Sequence, residues 1–373
     1  MNFCKRCYVV PVFVLCMFLF GGWGSVGHKI INKAVVPSFP YQMSFLSYWS
    51  DSITSHASDA DNRKNADPKE SPKHFIDIDE YPEFIKSGRI SQNYDSVVAG
   101  HSLSFVIDNG TLPWTIVTTC DSLKAELKRR DWQKAMLTAA DLGHYVGDAH
   151  MPLHITRNYN GQYSNQSGVH SRYETTLIGK YQSQLVYTND TASYIESISD
   201  FAFNTAYSNY NYVDSVLYAD SLAKALTGST SSSAYYTQFW NVAGAFTLAL
   251  FKHASKSIAD LIYTCWIDSG SPTSVNAVKL TGITKPESFN LFQNYPNPFN
   301  PSTTIKYSTA SDGKVDLVIY NQLGQQVAQL VNQFQKAGTY SVNFTATGLA
   351  SGAYFCQLKT GNVTQTNKIL LLK

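Results

Sequence analysis

The run HYVGDAHMPLH, residues 144–154, is the part of the chain whose reading decides the fold. His144 and Asp148 are four residues apart, so on a helix both project from one face. Pro152 then ends or bends that helix just before His154. Taken alone, a His/carboxylate pair at this spacing is most often a surface ion pair. The device recurs in GVHSRYE, residues 168–174, where His170 and Glu174 again stand four apart. Imidazole and carboxylate at that spacing chelate a divalent cation, and zinc is the usual choice for mixed N/O ligands. Two such pairs with His154 between them favour a metal centre over two surface pairs.

The sequence around this centre is helical. From Pro113 to Val146 apolar residues recur at helical spacing, among them Leu123, Leu127, Ala135, Ala139, Leu142 and Val146. Tyr235 to Trp266 is a second long helical stretch carrying Phe239, Phe246, Leu250 and Ile258. Polar loops rich in Asn, Ser and Tyr, such as Arg157 to Ser167, lie between them. Near residue 270 the texture changes. Ser269-Gly270-Ser271-Pro272-Thr273-Ser274 reads as a linker. Beyond Pro286 the apolar period becomes two: Ile305 and Tyr307; Val315, Leu317 and Ile319; Tyr340, Val342 and Phe344; Tyr354, Cys356 and Leu358. Turns at Asn321–Gly324, Ala337-Gly338 and Ser351-Gly352 separate them, which predicts a β-sandwich of about 85 residues. The expected fold class is a mainly α catalytic domain followed by a small all-β sandwich.

Length and composition agree. At about 150 residues per domain, 373 residues suggest two domains. With 44% hydrophobic and 15% charged residues, the chain is neither intrinsically disordered nor a coiled coil. A net charge of +2 gives no strongly basic surface for duplex DNA. Lys5 and Arg6, an apolar run from Tyr8 to Phe20, and Gly21-Gly22 read as a secretory signal peptide, too short for a comfortable membrane span. Cys4, Cys7 and Cys16 leave with it. Cys120, Cys265 and Cys356 remain, an odd number that is no disulfide framework, with a Cys120–Cys265 bridge left open. The expected organisation is a signal peptide over 1–22, a catalytic domain over 23–270, a linker over 271–287 and a sandwich over 288–373.

Further candidates lie upstream: Trp23 and His28 in Trp23-Gly24-Ser25-Val26-Gly27-His28, Asp59 and Asp61 around Ala60, and His74 in His74-Phe75-Ile76-Asp77. With the two central motifs they resemble the three-zinc phosphoesterases, a family of bacterial zinc-dependent phospholipases C and related single-strand-specific nucleases. The resemblance spans roughly residues 23–180 with the ligand order intact. It implies three zinc ions held by Trp23, His28, Asp61, His74, His144, Asp148, His154, His170 and Glu174. One ion would use Asp61, His74, His144 and Asp148, and a second Trp23, His28 and the bridging Asp148. The third would use His154, His170 and Glu174. Asp148 and Asp61 are the implied catalytic carboxylates: Asp148 joins two ions that share a water whose pKa falls toward ~7, and Asp61 orients or deprotonates that water, or is a plain ligand. Asp61 is preferred to Asp59 because the second Asp of the triplet is the phospholipase ligand. His56, His101, His150 and His253 fall outside the set and read as structural or supporting. Arg157 and Arg172 are candidates to pair with phosphate.

The C-terminal stretches FNLFQNYPNPFNPSTTIKYS (289–308), LASGAYFCQLKTG (349–361) and NKILLLK (367–373) resemble the sorting domain of the type IX secretion system. That implies the secretion machinery as a partner, no stable protein partner besides it, and a secreted or cell-surface location. The substrate expectation is a phospholipid, with single-stranded nucleic acid as the alternative. Glu174 in GVHSRYE favours phospholipase C; the short Trp23-to-His28 spacing favours a nuclease/3'-nucleotidase. A zinc-stabilised adhesive or surface protein without activity is the non-enzymatic reading, and a carboxylate shared between two ions argues against it.

Overall fold

The structure is a computed structural model, and it describes residues 24–272, 279–282, 288–346 and 349–373. The expected signal peptide, Trp23 and most of the expected linker lie outside the described residues.

Residues 24–272 form a helical unit. The periodic stretch around Val146 is two helices, Leu112–Arg129 and Trp132–Ala149. Arg130 ends the first in a left-handed conformation (φ 59°), and the Asp131 side chain caps the second by accepting from the Lys134 amide at 3.3 Å. The second long stretch is one helix, Ser233–Asp268. It packs on both, and the three share a buried core with Leu123, Leu127, Ala139, Leu142, Phe251, Ile258 and Ile262. Each large apolar side chain buried there contributes roughly 1.5–3 kcal/mol. Among the described residues no helix is long and apolar enough to cross a membrane.

Gly24–Lys33, which carries His28, crosses the Trp132–Ala149 helix closely. The contact requires a glycine. A Cβ on Gly143 would lie 2.3 Å from Asn32 Oδ1, while Asn32 Nδ2 donates to Ile53 O at 3.0 Å. Past Pro152 the chain runs through a polar loop into His170, and Arg172–Leu177 winds as a π-helix, a turn type common at functional sites.

The second unit is a sandwich of two antiparallel four-stranded sheets. Its strands are β1 (Lys279–Gly282), β2 (Asn290–Leu291), β3 (Ser302–Thr309), β4 (Gly313–Tyr320), β5 (Gln326–Gln335), β6 (Gly338–Thr345), β7 (Gly352–Thr360) and β8 (Val363–Leu371). The sheets are ordered β1-β6-β3-β2 and β5-β4-β7-β8. Strand β1, inside the stretch read as linker, pairs with β6. The alternating residues of the sequence reading, from Ile305 to Leu358, are the inward-facing set. The YPNPFNP segment is tied to the end of the chain: Phe299 N donates to Leu370 O at 2.9 Å and Leu372 N to Phe299 O at 3.0 Å. Cys120, Cys265 and Cys356 are buried free thiols, and the open bridge is not formed; Cys265 Sγ donates to Cys120 O at 3.6 Å.

Candidate metal centre

One face of the helical unit gathers the acid and imidazole groups. His144 and Asp148 project together from the Trp132–Ala149 helix, and both are fully buried. His28 comes from the crossing helix, Asp61 from Asp59–Arg63, His74 from the turn Ser71–His74, and His154 from the turn after Pro152. The π-helix supplies Glu174, and His170 stands just before it.

The first cluster is Asp61, His74 and His144, with Asp148 as its fourth wall. His74 Nδ1 is 3.0 Å from His144 Nε2, 2.9 Å from Asp148 Oδ2 and 3.6 Å from Asp61 Oδ1. His144 Nε2 is 3.3 Å from Asp148 Oδ2 and 3.5 Å from Asp61 Oδ1. Ligands about 2.0–2.1 Å from a tetrahedral zinc stand about 3.3–3.4 Å from one another, which is the middle of this range. Asp59, by contrast, pairs with His56 at 2.7 Å.

The second cluster is His28, His144 and Asp148. His28 Nε2 is 3.4 Å from Asp148 Oδ1, the oxygen turned away from the first cluster. Neither His28 nitrogen has a hydrogen-bond partner among the described residues, although the ring is wholly buried. The third cluster is His154, His170 and Glu174, all buried. Glu174 Oε2 lies 2.5 Å from His170 Nε2 and 3.7 Å from His154 Nε2, and Glu174 Oε1 accepts from the Gly24 amide at 3.1 Å.

Main-chain carbonyls fix three of the imidazoles. His144 Nδ1 donates to Ala57 O at 2.8 Å, His154 Nδ1 to His74 O at 2.7 Å, and His170 Nδ1 to Tyr159 O at 3.1 Å. A proton held on Nδ1 leaves Nε2 as an electron-pair donor, and in all three Nε2 faces its cluster. The electrostatics match a cation site. Burial opposes charge on His144 and His154, yet Asp148 with Asp61 holds His144 up to about 10, and Asp148 with Glu174 holds His154 up to about 9. Burial pushes the Asp148 carboxyl upward, but His144 and His154 hold it well below the usual carboxylate range. These groups retain protons where a divalent cation fits. The three clusters can therefore hold metal ions.

Thus eight of the nine residues read as ligands converge on the three clusters, and Trp23 lies outside the described residues. Arg172 does not face them. Its guanidinium meets Asp220 at 2.8 Å, Tyr235 Oη at 3.1 Å, and the carbonyls of Ser167 and Gln166, so it anchors the loop between His154 and His170. Arg157 pairs with Glu80 at 3.2 Å and covers the Tyr163 ring. His150 donates from Nδ1 to Val146 O at 2.8 Å and turns Nε2 toward Ser257; burial pushes it down to about 4, a neutral core histidine. The sequence reading missed Glu70, which lies 3.6 Å from His74. Its signal was present, since Glu70 and His74 share the spacing that marked His144 and Asp148.

Residues 293–372 match the family model of the secretion system C-terminal sorting domain. This end of the chain is a type IX sorting domain. Its presence indicates export, to the medium or the cell surface, and interaction with the type IX secretion machinery. Among solved structures, the chain is similar to the alpha-toxin of Clostridium perfringens from avian strain SWCP. Identity is 13%, with 94% of this chain and 98% of that one covered and a TM-score of 0.45. Alpha toxin from Clostridium absonum is similar at 12% identity, with 94% and 96% covered and a TM-score of 0.42. No curated protein matches the chain by sequence.

Proposed function

We propose that the helical unit, with residues 23–270 as its domain, is a zinc-dependent phosphodiester hydrolase that cleaves phospholipid as a phospholipase C. Residues 288–373 serve its export, and 1–22 are its signal peptide. The observation that carries this reading is the placement of Asp148. One of its oxygens faces His74 and His144, the other His28, so a single buried carboxylate serves two clusters. Structural zinc sites are usually closed and mononuclear, which disfavours a purely structural role. Zinc bound there supplies positive charge for a phosphate diester anion and makes water a nucleophile near neutral pH.

The chain's own residues do the rest. The carbonyls of Ala57, His74 and Tyr159 hold the imidazoles in the ligating tautomer. Asp61 is placed by Lys64 Nζ at 2.7 Å, and His144 with Lys64 holds it below the usual carboxylate range against burial. That favours the plain ligand role over the base. Glu174 at the third cluster and the GVHSRYE motif around it favour phospholipid over nucleic acid.

The test is a parallel assay of the purified mature protein on phosphatidylcholine vesicles and on single-stranded DNA and RNA. Diacylglycerol release that a chelator abolishes and zinc restores is the expected result. Nucleotide release without diacylglycerol would establish the nuclease alternative, and no turnover of either with zinc retained would leave a zinc-stabilised surface protein.

A further inference from the structure

We propose that Glu70 is a positioning residue of the first cluster: it is the acceptor for the Nε2–H of His74 and so keeps the proton off Nδ1, whose electron pair is left for a cation held among Asp61, His144 and Asp148. The proposal rests on the zinc reading above. A neutral imidazole carries one proton. For Nδ1 to ligate a cation, that proton must sit on Nε2, and a buried N–H needs an acceptor. The other imidazoles with a fixed tautomer have a main-chain carbonyl at their back; His74 has none. Its Nε2 is buried and makes no hydrogen bond among the described residues, and Glu70 Oε1 stands 3.6 Å from it.

Glu70 is built to stay charged and in place. It is 2% exposed. Tyr145, next to His144 on the same helix, donates to Oε1 through a short hydrogen bond. Lys73 Nζ meets Oε2 at 2.7 Å, and Arg63 Nη2 meets Oε1 at 3.3 Å while its other arm holds Asp141 at 3.0 Å. A carboxylate behind a ligating histidine fixes the ring and raises its basicity, and losing such a partner typically costs about 10–100-fold in metal affinity.

The experiment strips the full-length exported protein of metal and titrates zinc back against a chromophoric chelator. It compares wild type with Glu70→Met, which removes the acceptor, and Glu70→Gln, whose amide oxygen still accepts. Expected is a roughly 10–100-fold weaker affinity for one ion in Glu70→Met, with the others unchanged and most of the loss recovered in Glu70→Gln. Glu70→Met also leaves Tyr145, Lys73 and Arg63 without their acceptor, so its metal-free thermal midpoint should fall; the positioning role is read from a loss confined to one ion. Unchanged zinc affinities in Glu70→Met overturn the proposal. So does an equal weakening of every ion, which would make Glu70 merely structural. If Glu70→Met does not fold, Tyr145→Phe replaces it; a several-fold weakening of one ion supports the proposal and none overturns it. A wild type that takes up no zinc overturns the zinc reading itself, whereas wild-type binding with an indifferent Glu70 overturns this inference alone.

Discussion

His28 lies flat on His144, ring centroids 3.9 Å apart and planes 20° apart, and both rings reach for Asp148, one at each carboxylate oxygen. Two helices from distant parts of the sequence thus meet at one acid.

The shared acid sets the first prediction. Asp148→Asn removes the common wall of two clusters, while Glu174→Gln touches only the third. Zinc counted by mass spectrometry should fall by about two ions in the first variant and about one in the second. Phosphodiesterase activity should fall further in Asp148→Asn. Full activity with a full zinc complement in Asp148→Asn would remove the proposed two-ion centre.

Gly143→Ala tests the helix crossing that brings His28 in. Helix propensity alone predicts a gain of about 1 kcal/mol. The overlap with buried Asn32 should reverse that sign, for a net loss of about 1–3 kcal/mol in chemical denaturation and the loss of the His28 ion. Adding Asn32→Ala should restore room and part of the stability. A stabilised Gly143→Ala protein with unchanged zinc would show that the crossing tolerates a methyl group.

Arg172→Met separates an anchor from a substrate-binding group. Asp220 is fully buried, so removing its cation should cost about 3–5 kcal/mol, read as a lower denaturation midpoint. The third ion should also weaken, because the loop before His170 loses its tie. A variant of unchanged stability whose only defect is a raised KM would return Arg172 to the phosphate-binding role that its position between His170 and Glu174 first implied.

A pH dependence follows from Asp77. Burial, then Asp79 and Glu80, push its carboxyl up to about 7. In the unfolded chain it ionises near pH 4, so between pH 4 and 7 the folded state binds more protons and stability falls as pH rises. Asp77→Asn lacks this penalty. Its melting temperature should match wild type near pH 4 and exceed it increasingly up to pH 8, by the equivalent of up to about 4 kcal/mol at about 1.4 kcal/mol per pKa unit. A constant difference across that range would place the Asp77 carboxyl at its ordinary value.

Deleting residues 288–373 should leave the activity of the purified protein nearly unchanged while the protein stays with the cell. The assay is activity per mole against the fraction released to the medium. Loss of activity with folding intact would show that the sandwich takes part in catalysis.

Much of this was legible because the chemistry lies close together along the chain. His144, Asp148, His154, His170 and Glu174 fall within one continuous stretch, and four-residue spacing on a helix is a strong local signal. The alternation from Ile305 to Leu358 exposed the four central strands in the same way. What escaped depends on contacts between distant residues. Strand β1 has too few residues for a period and exists by pairing with β6. The role of Arg172 rests on Asp220, 48 residues away, and no local pattern distinguishes an arginine held by a buried acid from one facing a substrate. Glu70 is a different case: it stands four residues before His74, the spacing that marked His144 and Asp148, so its local signal was there, and Tyr145 and Arg63 closing over it add the rest.

The carbonyls behind His144, His154 and His170 have a consequence for how such a protein diverges. Every residue type carries a main-chain carbonyl, so the hydrogen bonds that orient these histidines do not themselves depend on which side chains stand at Ala57 and Tyr159, although buried Ala57 has its own packing to satisfy. The chemistry of those ligands is insulated from drift in the neighbouring sequence. What must be preserved there is the path of the backbone, and a path tolerates far more sequences than a side-chain contact does.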